Sequence, residues 1–191
     1  MDGIVCGIDP GLGVTGYAVV RVVAGTPGVI DAGVCRFDPR ESLAMRLAAV
    51  ERDVSAILTE HRPTLLAVEQ LYSHYNHPRT AILMGHARGV IFAVAGRMEI
   101  EVRGYAATRV KRYLTGNGRA NKPQMQRAIQ TALGLSAPPE PPDVADAIAI
   151  ALCAAEDLGR VLNAETGMRN HPLGRRSGPR SPHSEPLVCG S

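Results

Sequence analysis

This sequence lacks several features that define common classes of protein. It has only four cysteines, far apart and without a CxxC pair, so a zinc site is not expected. No apolar run approaches the ~18 residues that span a bilayer. The first residues carry no basic segment, so we expect no signal peptide, a cytoplasmic location and no membrane partner. Three of the cysteines stand in apolar surroundings typical of core residues in a reducing compartment, namely Cys6, Cys35 and Cys153.

Lysine is also scarce. The chain has 19 arginines but only two lysines, and both lysines lie between residues 96 and 127. That stretch holds eight basic residues against two acids, although the formal net charge of the whole chain is only +3. Such a cluster is a candidate polyanion-binding surface, and a solvated face is the alternative interpretation. The eight basic residues are Arg97, Arg103, Arg109, Lys111, Arg112, Arg119, Lys122 and Arg127.

Short β-branched segments and helical periodicities follow one another in the order β-β-β-α-β-α-β-α-α-α. Thr26-Pro27-Gly28 predicts the turn between the second and third strands, and Ser42 is a candidate N-cap for the first helix. A meander of three strands followed by strand–helix alternation predicts an α/β fold, a mixed five-stranded sheet with helices on both faces. The last helix is expected over 143–162. Residues 1–162 thus form the predicted domain, and residues 163–191 a disordered basic tail.

Four acidic residues occupy positions that favour a shared site. Asp9 and Glu69 each follow a short apolar strand, and sites in open α/β sheets gather at such strand ends. Asp143 and Asp146 are three residues apart on a helix and therefore share one of its faces. Converging carboxylates must protonate, separate or bind a cation, and hard oxygen ligands suit Mg²⁺ or Mn²⁺. In phosphodiester cleavage, two such ions can activate a water and stabilise the departing oxygen.

Each acid also has a structural interpretation, which the spacing alone leaves open. Asp9 before Pro-Gly is a favourable turn residue, and Glu69 is a plausible surface residue at a strand end. Asp143 is a candidate N-cap, and Asp146 a first-turn acid favoured by the helix dipole.

Longer motifs resemble the RuvC family of Holliday junction resolvases. The segment GIDPGLGVTGYAVV at residues 7–20 is similar to the family's first motif, and AVEQLY at 67–72 to its second. YAATRVKRYLTGNGRANKPQMQ at 105–126 is similar to the central region, and PPDVADAIAIAL at 141–152 to the last motif. The segments occur in family order, so the resemblance covers about Gly3 to Leu162.

The resemblance implies a ribonuclease H-like fold and an enzyme that makes paired symmetric nicks across a four-way DNA junction. It implies Mg²⁺ as the cofactor, replaceable by Mn²⁺, with two ions in each active site. A homodimer, cooperation with the RuvA–RuvB branch-migration complex and a short preferred cleavage sequence are also implied. The helix over 81–94 is rich in small residues and is a candidate dimer interface, with ordinary core packing as the alternative.

The resemblance also assigns roles to individual residues. The four acids occupy the catalytic and metal-binding positions. Lys111 and Lys122 occupy positions where the family's lysines contact DNA, and we add Arg112 and Arg119 as candidate DNA contacts. Tyr72 stands where a phenylalanine stacks on a junction base, although packing on its own loop is the alternative. An arginine-rich chain with lysine at only these two positions suggests that a compact ammonium is favoured near the metal site.

Three other functions are consistent with parts of this sequence. An actin- or Hsp70-like ATPase domain opens with a similar Gly-Ile-Asp-X-Gly turn, but its cleft needs a second domain and a second glycine-rich loop, which we do not find here. A junction-binding protein without catalysis is a second alternative, which the presence of all four acids argues against. A related nuclease acting on RNA or other branched DNA is a third, and a panel of substrates separates it from a resolvase.

Overall fold

The computed structural model describes residues 3–71 and 78–166. Within these ranges the fold has five strands and five helices in the predicted order, and none of the helices is long and apolar enough to cross a membrane. The strands are β1 (Gly3–Asp9), β2 (Val14–Val23), β3 (Thr26–Arg36), β4 (Leu65–Glu69) and β5 (Glu101–Tyr105). The helices are α1 (Leu43–His61), α2 (Pro78–Arg97), α3 (Ala107–Thr115), α4 (Lys122–Leu133) and α5 (Pro142–Thr166).

The five strands form one mixed sheet in the order β3-β2-β1-β4-β5. Strands β1, β2 and β3 pair antiparallel as a meander, whereas β4 pairs parallel with both β1 and β5. The predicted sheet is therefore confirmed. Because β1, β4 and β5 run in the same direction, their carboxyl ends meet along one edge of the sheet.

Helices cover both faces of this sheet, as predicted. Alternate residues of β1 and β4 point to opposite faces, and each face has its own apolar core. Val5 and Leu65 pack with α3, α4 and α5, while Cys6, Ile8 and Leu66 pack with α1 and α2. The hydroxyl of Ser42 accepts a hydrogen bond from the backbone N–H of Met45, which confirms it as the N-cap of α1.

The turn between β2 and β3 is not where the sequence predicts it. The turn residues are Ala24 and Gly25, both with positive φ (48° and 80°), while Thr26, Pro27 and Gly28 belong to β3. Two-residue hairpins favour left-handed turn residues because their twist matches that of the strands. Pro27 has no N–H to donate, and a proline is tolerated there because β3 is the edge strand of the sheet.

Helix α5 continues to Thr166, four residues beyond its predicted end. The predicted boundary between domain and tail at residue 162 therefore falls within a helix. Residues 167–191 lie outside the described part of the chain, so the disordered tail stays a prediction.

Two glycines allow α5 to lie directly on the sheet. A Cβ atom on Gly7 would stand 2.6 Å from the backbone oxygen of Ala147 and 2.6 Å from the backbone nitrogen of Ala151. A Cβ atom on Gly16 would stand 2.2 Å from the backbone oxygen of Asp143. Both contacts are with backbone atoms, which cannot rotate away. Glycine at these positions therefore sets the distance between α5 and strands β1 and β2.

Replacing Gly16 with alanine is expected to destabilise the fold by ~1–3 kcal/mol, the usual cost of forcing an extra group into packed structure. Urea unfolding measures this change. The matched control is Gly28→Ala on the neighbouring strand, where an added Cβ meets nothing within 4 Å. Equal stability of the two variants would contradict the close approach of α5.

Candidate active site

Asp9 and Glu69 end neighbouring parallel strands. Ile8 pairs with Val68, so the two acids follow the last paired residues of β1 and β4. Ile8 and Val68 both pack in the core on the α1 and α2 side. Strand alternation consequently turns both carboxylates toward the opposite face, where α5 lies.

Helix α5 brings the other two acids to the same place. It packs mainly across β1 and β2, and the backbone of Asp143 lies against Gly16, the residue paired with Asp9. Asp146 follows one turn later on the same face of the helix. Asp143 belongs to the first turn of α5, which begins at Pro142, and is therefore not the N-cap considered from the sequence.

The four acids share one electrostatic environment. Burial raises the pKa of Asp9 to about 8, with further contributions from the negative charges of Glu69, Asp146 and Asp143. The Asp9 and Glu69 carboxyl groups are also within hydrogen-bonding reach of each other. Burial is likewise the main cause that raises the pKa of Glu69 and of Asp146. The fold thus places the four acids where their charges act on one another.

The cluster is not a closed ligand set. In residues 3–71 and 78–166, no three histidine, cysteine or acidic side chains are already gathered as a metal-binding group. The donors themselves, carboxylate oxygens in a half-buried pocket, fit a hard divalent cation.

The turn after β1 is held from two sides. The Thr15 hydroxyl donates to the Gly11 carbonyl oxygen (2.7 Å) and accepts from the Gly11 N–H (3.1 Å). The guanidinium of Arg46 on α1 donates through Nε to the Leu12 carbonyl oxygen at 3.0 Å. Thr15 is fully buried, so this loop is anchored in the core. The anchoring fixes the backbone directly after Asp9.

Arg88 on α2 holds the other strand end, and sequence reasoning did not single it out. Its Nε donates to the backbone oxygen of Glu69 at 3.1 Å, and its guanidinium lies 4.3 Å from the centroid of the Phe92 ring. Gln70 continues the attachment, since its N–H donates to the Tyr105 carbonyl oxygen at 2.9 Å. An arginine 19 residues from the acid it supports gives no local sequence signal.

Both lysines lie beside the acids. Burial raises the pKa of Glu69 and of Asp146, and the lysine charges offset part of that increase, Lys111 for Glu69 and both lysines for Asp146. Lys122 is the first residue of α4, where Asn121 and Gln124 form a reciprocal capping box that fixes the start of the helix. Glu69, Asp146 and the two lysines border a pocket of about 210 Å³ between α3, α4 and α5.

The basic stretch as a whole is not one free surface. Three of its arginines are paired with acids, Arg97 with Glu51, Arg103 with Glu101 and Arg109 with Asp157. Asp157 also accepts a hydrogen bond from the Tyr105 hydroxyl at 2.9 Å. Among described residues, the exposed arginines without an acidic partner in this stretch are Arg112, Arg119 and Arg127. Tyr72 lies outside the described residues.

A mixed sheet with strand-end acids and an acid-bearing helix across it is the architecture of ribonuclease H-like nucleases. The sequence model of the family described as crossover junction endodeoxyribonuclease RuvC matches residues 5–154. The protein of that name from Rhodopirellula baltica is 48% identical over 149 residues, which cover 78% of this chain and 84% of the relative. The chain belongs to the RuvC family, whose members are metal-dependent nucleases.

Solved structures agree with this membership. The Thermus thermophilus RuvC structure in complex with a Holliday junction substrate has a TM-score of 0.77 and 31% identity, covering 83% of this chain and 96% of that one. The yeast mitochondrial Holliday junction resolvase, at 14% identity and a TM-score of 0.60, covers 85% of this chain and 83% of its own, and shows the fold alone. The ATPase and non-catalytic alternatives are not favoured by these matches.

Proposed function

We propose that this chain resolves Holliday junctions in DNA recombination and repair by paired symmetric hydrolysis of two phosphodiesters. The observation that carries the proposal is the shared environment of Asp9, Glu69, Asp143 and Asp146 at the carboxyl ends of β1 and β4. The Thermus relative was solved with a Holliday junction substrate, which supports the same substrate class here.

The four carboxylates would hold two Mg²⁺ ions, which Mn²⁺ can replace. Bound metal would activate a water and stabilise the departing oxygen. Without cations, the four negative charges would repel a DNA phosphate. The buried flank of Asp9 and the fixed backbone after β1 restrict how the carboxylates turn, so the strand ends orient the ligand atoms.

The lysines would contact the DNA phosphates next to the acids. An ammonium is a compact charge that binds a phosphate without the fixed geometry of a guanidinium. Lys111 and Lys122 border the acid cluster, and the exposed Arg112 and Arg119 would extend the contact along the strand. Tyr72 would stack on a junction base, as the aromatic residue at this position does in the family.

Two symmetric nicks require two active sites, so we propose a homodimer. Helix α2 offers a surface for it: Ala87 and Ile91 pack in the core, whereas Ile82 is 61% exposed and an added Cβ on Gly85 or Gly89 meets nothing within 4 Å. Cooperation with the RuvA–RuvB complex and a cytoplasmic location belong to the same proposal. So does the division into a nuclease domain and a basic tail.

The test is incubation of the purified chain with a labelled four-way junction and, separately, with a linear duplex of the same sequence, in Mg²⁺ and in EDTA. We expect paired symmetric nicks only in the junction with Mg²⁺. A substrate panel that adds branched RNA and other branched DNA tests the related-nuclease alternative. Cleavage of the duplex at an equal rate, or cleavage in EDTA, would overturn the proposal.

Replacing Lys111 with alanine is expected to lower the cleavage rate at least about tenfold, by analogy with removal of one group that stabilises developing charge. The melting temperature should change little, because the Lys111 side chain is only partly buried. Lys111→Arg keeps the charge but not its compact shape and should restore only part of the rate. The control is Arg21→Ala, an exposed position at the opposite end of β2. A parallel loss of rate and stability would indicate a structural role.

A further inference from the structure

The pocket beside the acids has an interior that catalysis does not use. Glu69, Asp146, Lys111 and Lys122 stand at its border. Its walls are formed mainly by apolar side chains of α3, α4 and α5, among them Val110, Met125, Ala145, Ala149 and Ile150. The volume of about 210 Å³ is below the ~300 Å³ at which pockets for drug-sized ligands begin. The space therefore suits one small, largely apolar group.

A phosphate or a metal ion would stay at the border, because transfer of a charged group into an apolar space is unfavourable. The interior instead fits the flat, apolar face of a nucleobase. Gln126 is the polar side chain in the wall, and its amide offers two donors and one acceptor to the edge of a base. Met125 is a flexible thioether that adapts to planar groups of different size.

We propose that the pocket receives one unpaired nucleobase next to the cleaved phosphate, and that Gln126 reads the edge of that base. This inference rests on the proposed function, since it needs the cleaved phosphate at the acids. A phosphate held there by Lys111 and Lys122 would place its neighbouring nucleotide at the opening of the pocket.

The pocket explains why a junction would be cut and a duplex spared. A base in a duplex is paired and stacked, and its removal from the stack costs a few kcal/mol, but the cost is smallest where pairing is already interrupted. At the crossover point of a junction the strands exchange partners, so a base is available there. The same contact would make the rate depend on base identity, because amide contacts discriminate between bases about tenfold or more.

The first experiment uses binding alone, in Mg²⁺, with the Asp9→Asn chain, which is expected to bind the junction without cleaving it. A junction carrying the fluorescent base 2-aminopurine on either side of the expected cleavage position is titrated with this full-length variant. Entry into the pocket removes the probe from its stacked neighbours, so emission from one of the two positions should rise. Ala107→Leu, added to the same chain, fills the pocket from its half-buried edge and should abolish that rise. No rise at either position, or an equal rise with Ala107→Leu, would overturn the inference.

The second experiment measures cleavage in Mg²⁺ with each of the four bases at the responsive position. The fastest and slowest of the four wild-type cleavage rates should differ about tenfold or more. Gln126→Ala should reduce this difference between bases. The matched control is Thr131→Ala, an exposed residue at the other end of α4, which should keep the wild-type difference. An unchanged difference with Gln126→Ala would overturn the role of Gln126. Failure of the wild-type chain to cut any junction would instead overturn the proposed function.

Discussion

Asp9→Asn is expected to lower the rate of junction cleavage at least about a hundredfold, since loss of even an outer partner of a metal ligand costs 10–100-fold. Asp9 is the acid on which the other three charges act together, and the asparagine amide is a weaker ligand for a hard cation. Junction binding should be retained, because it depends mainly on basic side chains and loses a repelling charge. Single-turnover cleavage and a gel-shift titration in EDTA measure the two effects.

The same substitution should make the metal-free protein more stable. Asparagine removes a buried carboxyl whose charge is opposed by Glu69, Asp146 and Asp143. A gain in stability together with a loss of activity identifies a residue kept for chemistry, as opposed to one kept for folding. The control is Asp38→Asn, which alters only an exposed pair with Arg40 and should change neither quantity much. Wild-type cleavage by Asp9→Asn, or loss of binding and stability together, would contradict the proposed role.

Much of the fold follows from local pattern. Hydrophobic periodicity predicts the ten elements, and the strand-end rule predicts that Asp9 and Glu69 meet, because β1 and β4 are parallel neighbours. The sequence predicts the hairpin turn at Thr26-Pro27-Gly28 because this segment has turn composition, but the turn lies at Ala24 and Gly25. Composition does not distinguish a turn from an edge strand that tolerates proline.

The features that the sequence does not predict depend on contacts between residues far apart in the chain. Gly7 and Gly16 could be noticed as glycines in strands, but the helix they admit comes more than 120 residues later in the chain. The contact from Arg88 to the Glu69 backbone and the ion pair between Arg109 and Asp157 have no periodic signal. For this reason the central basic stretch appeared as a single cluster in the sequence, although three of its arginines are neutralised by acids.

Stability without metal should depend strongly on pH. Burial and neighbouring charges raise the pKa of Asp9 to about 8, and the pKa values of Glu69 and Asp146 are also raised. A carboxyl with a raised pKa binds more protons in the folded state than in the unfolded one. The stabilisation from the protonated Asp9 carboxyl is complete below pH 3.8, the pKa of this group in the unfolded chain. It is lost as the pH rises through about 8, the pKa of Asp9 in the folded state.

In EDTA, we therefore expect the free energy of unfolding to fall between about pH 4 and pH 8, by on the order of a few kcal/mol for the cluster. Mg²⁺ favours the ionised carboxylates and binds only the folded cluster, so the fall should be smaller in its presence. Urea unfolding across this pH range, with EDTA or with Mg²⁺, measures both effects.

Two variants isolate the contribution of the cluster from that of other acids. Asp9→Asn removes the group with the raised pKa and relieves its neighbours, so its stability should fall less steeply with pH than that of the wild type. Glu41→Gln, an exposed acid outside the cluster, should follow the wild-type curve. If the three proteins lose stability in parallel and Mg²⁺ changes none of the slopes, the acids do not form the cation-binding site. In that case their convergence at the strand ends would be structural only.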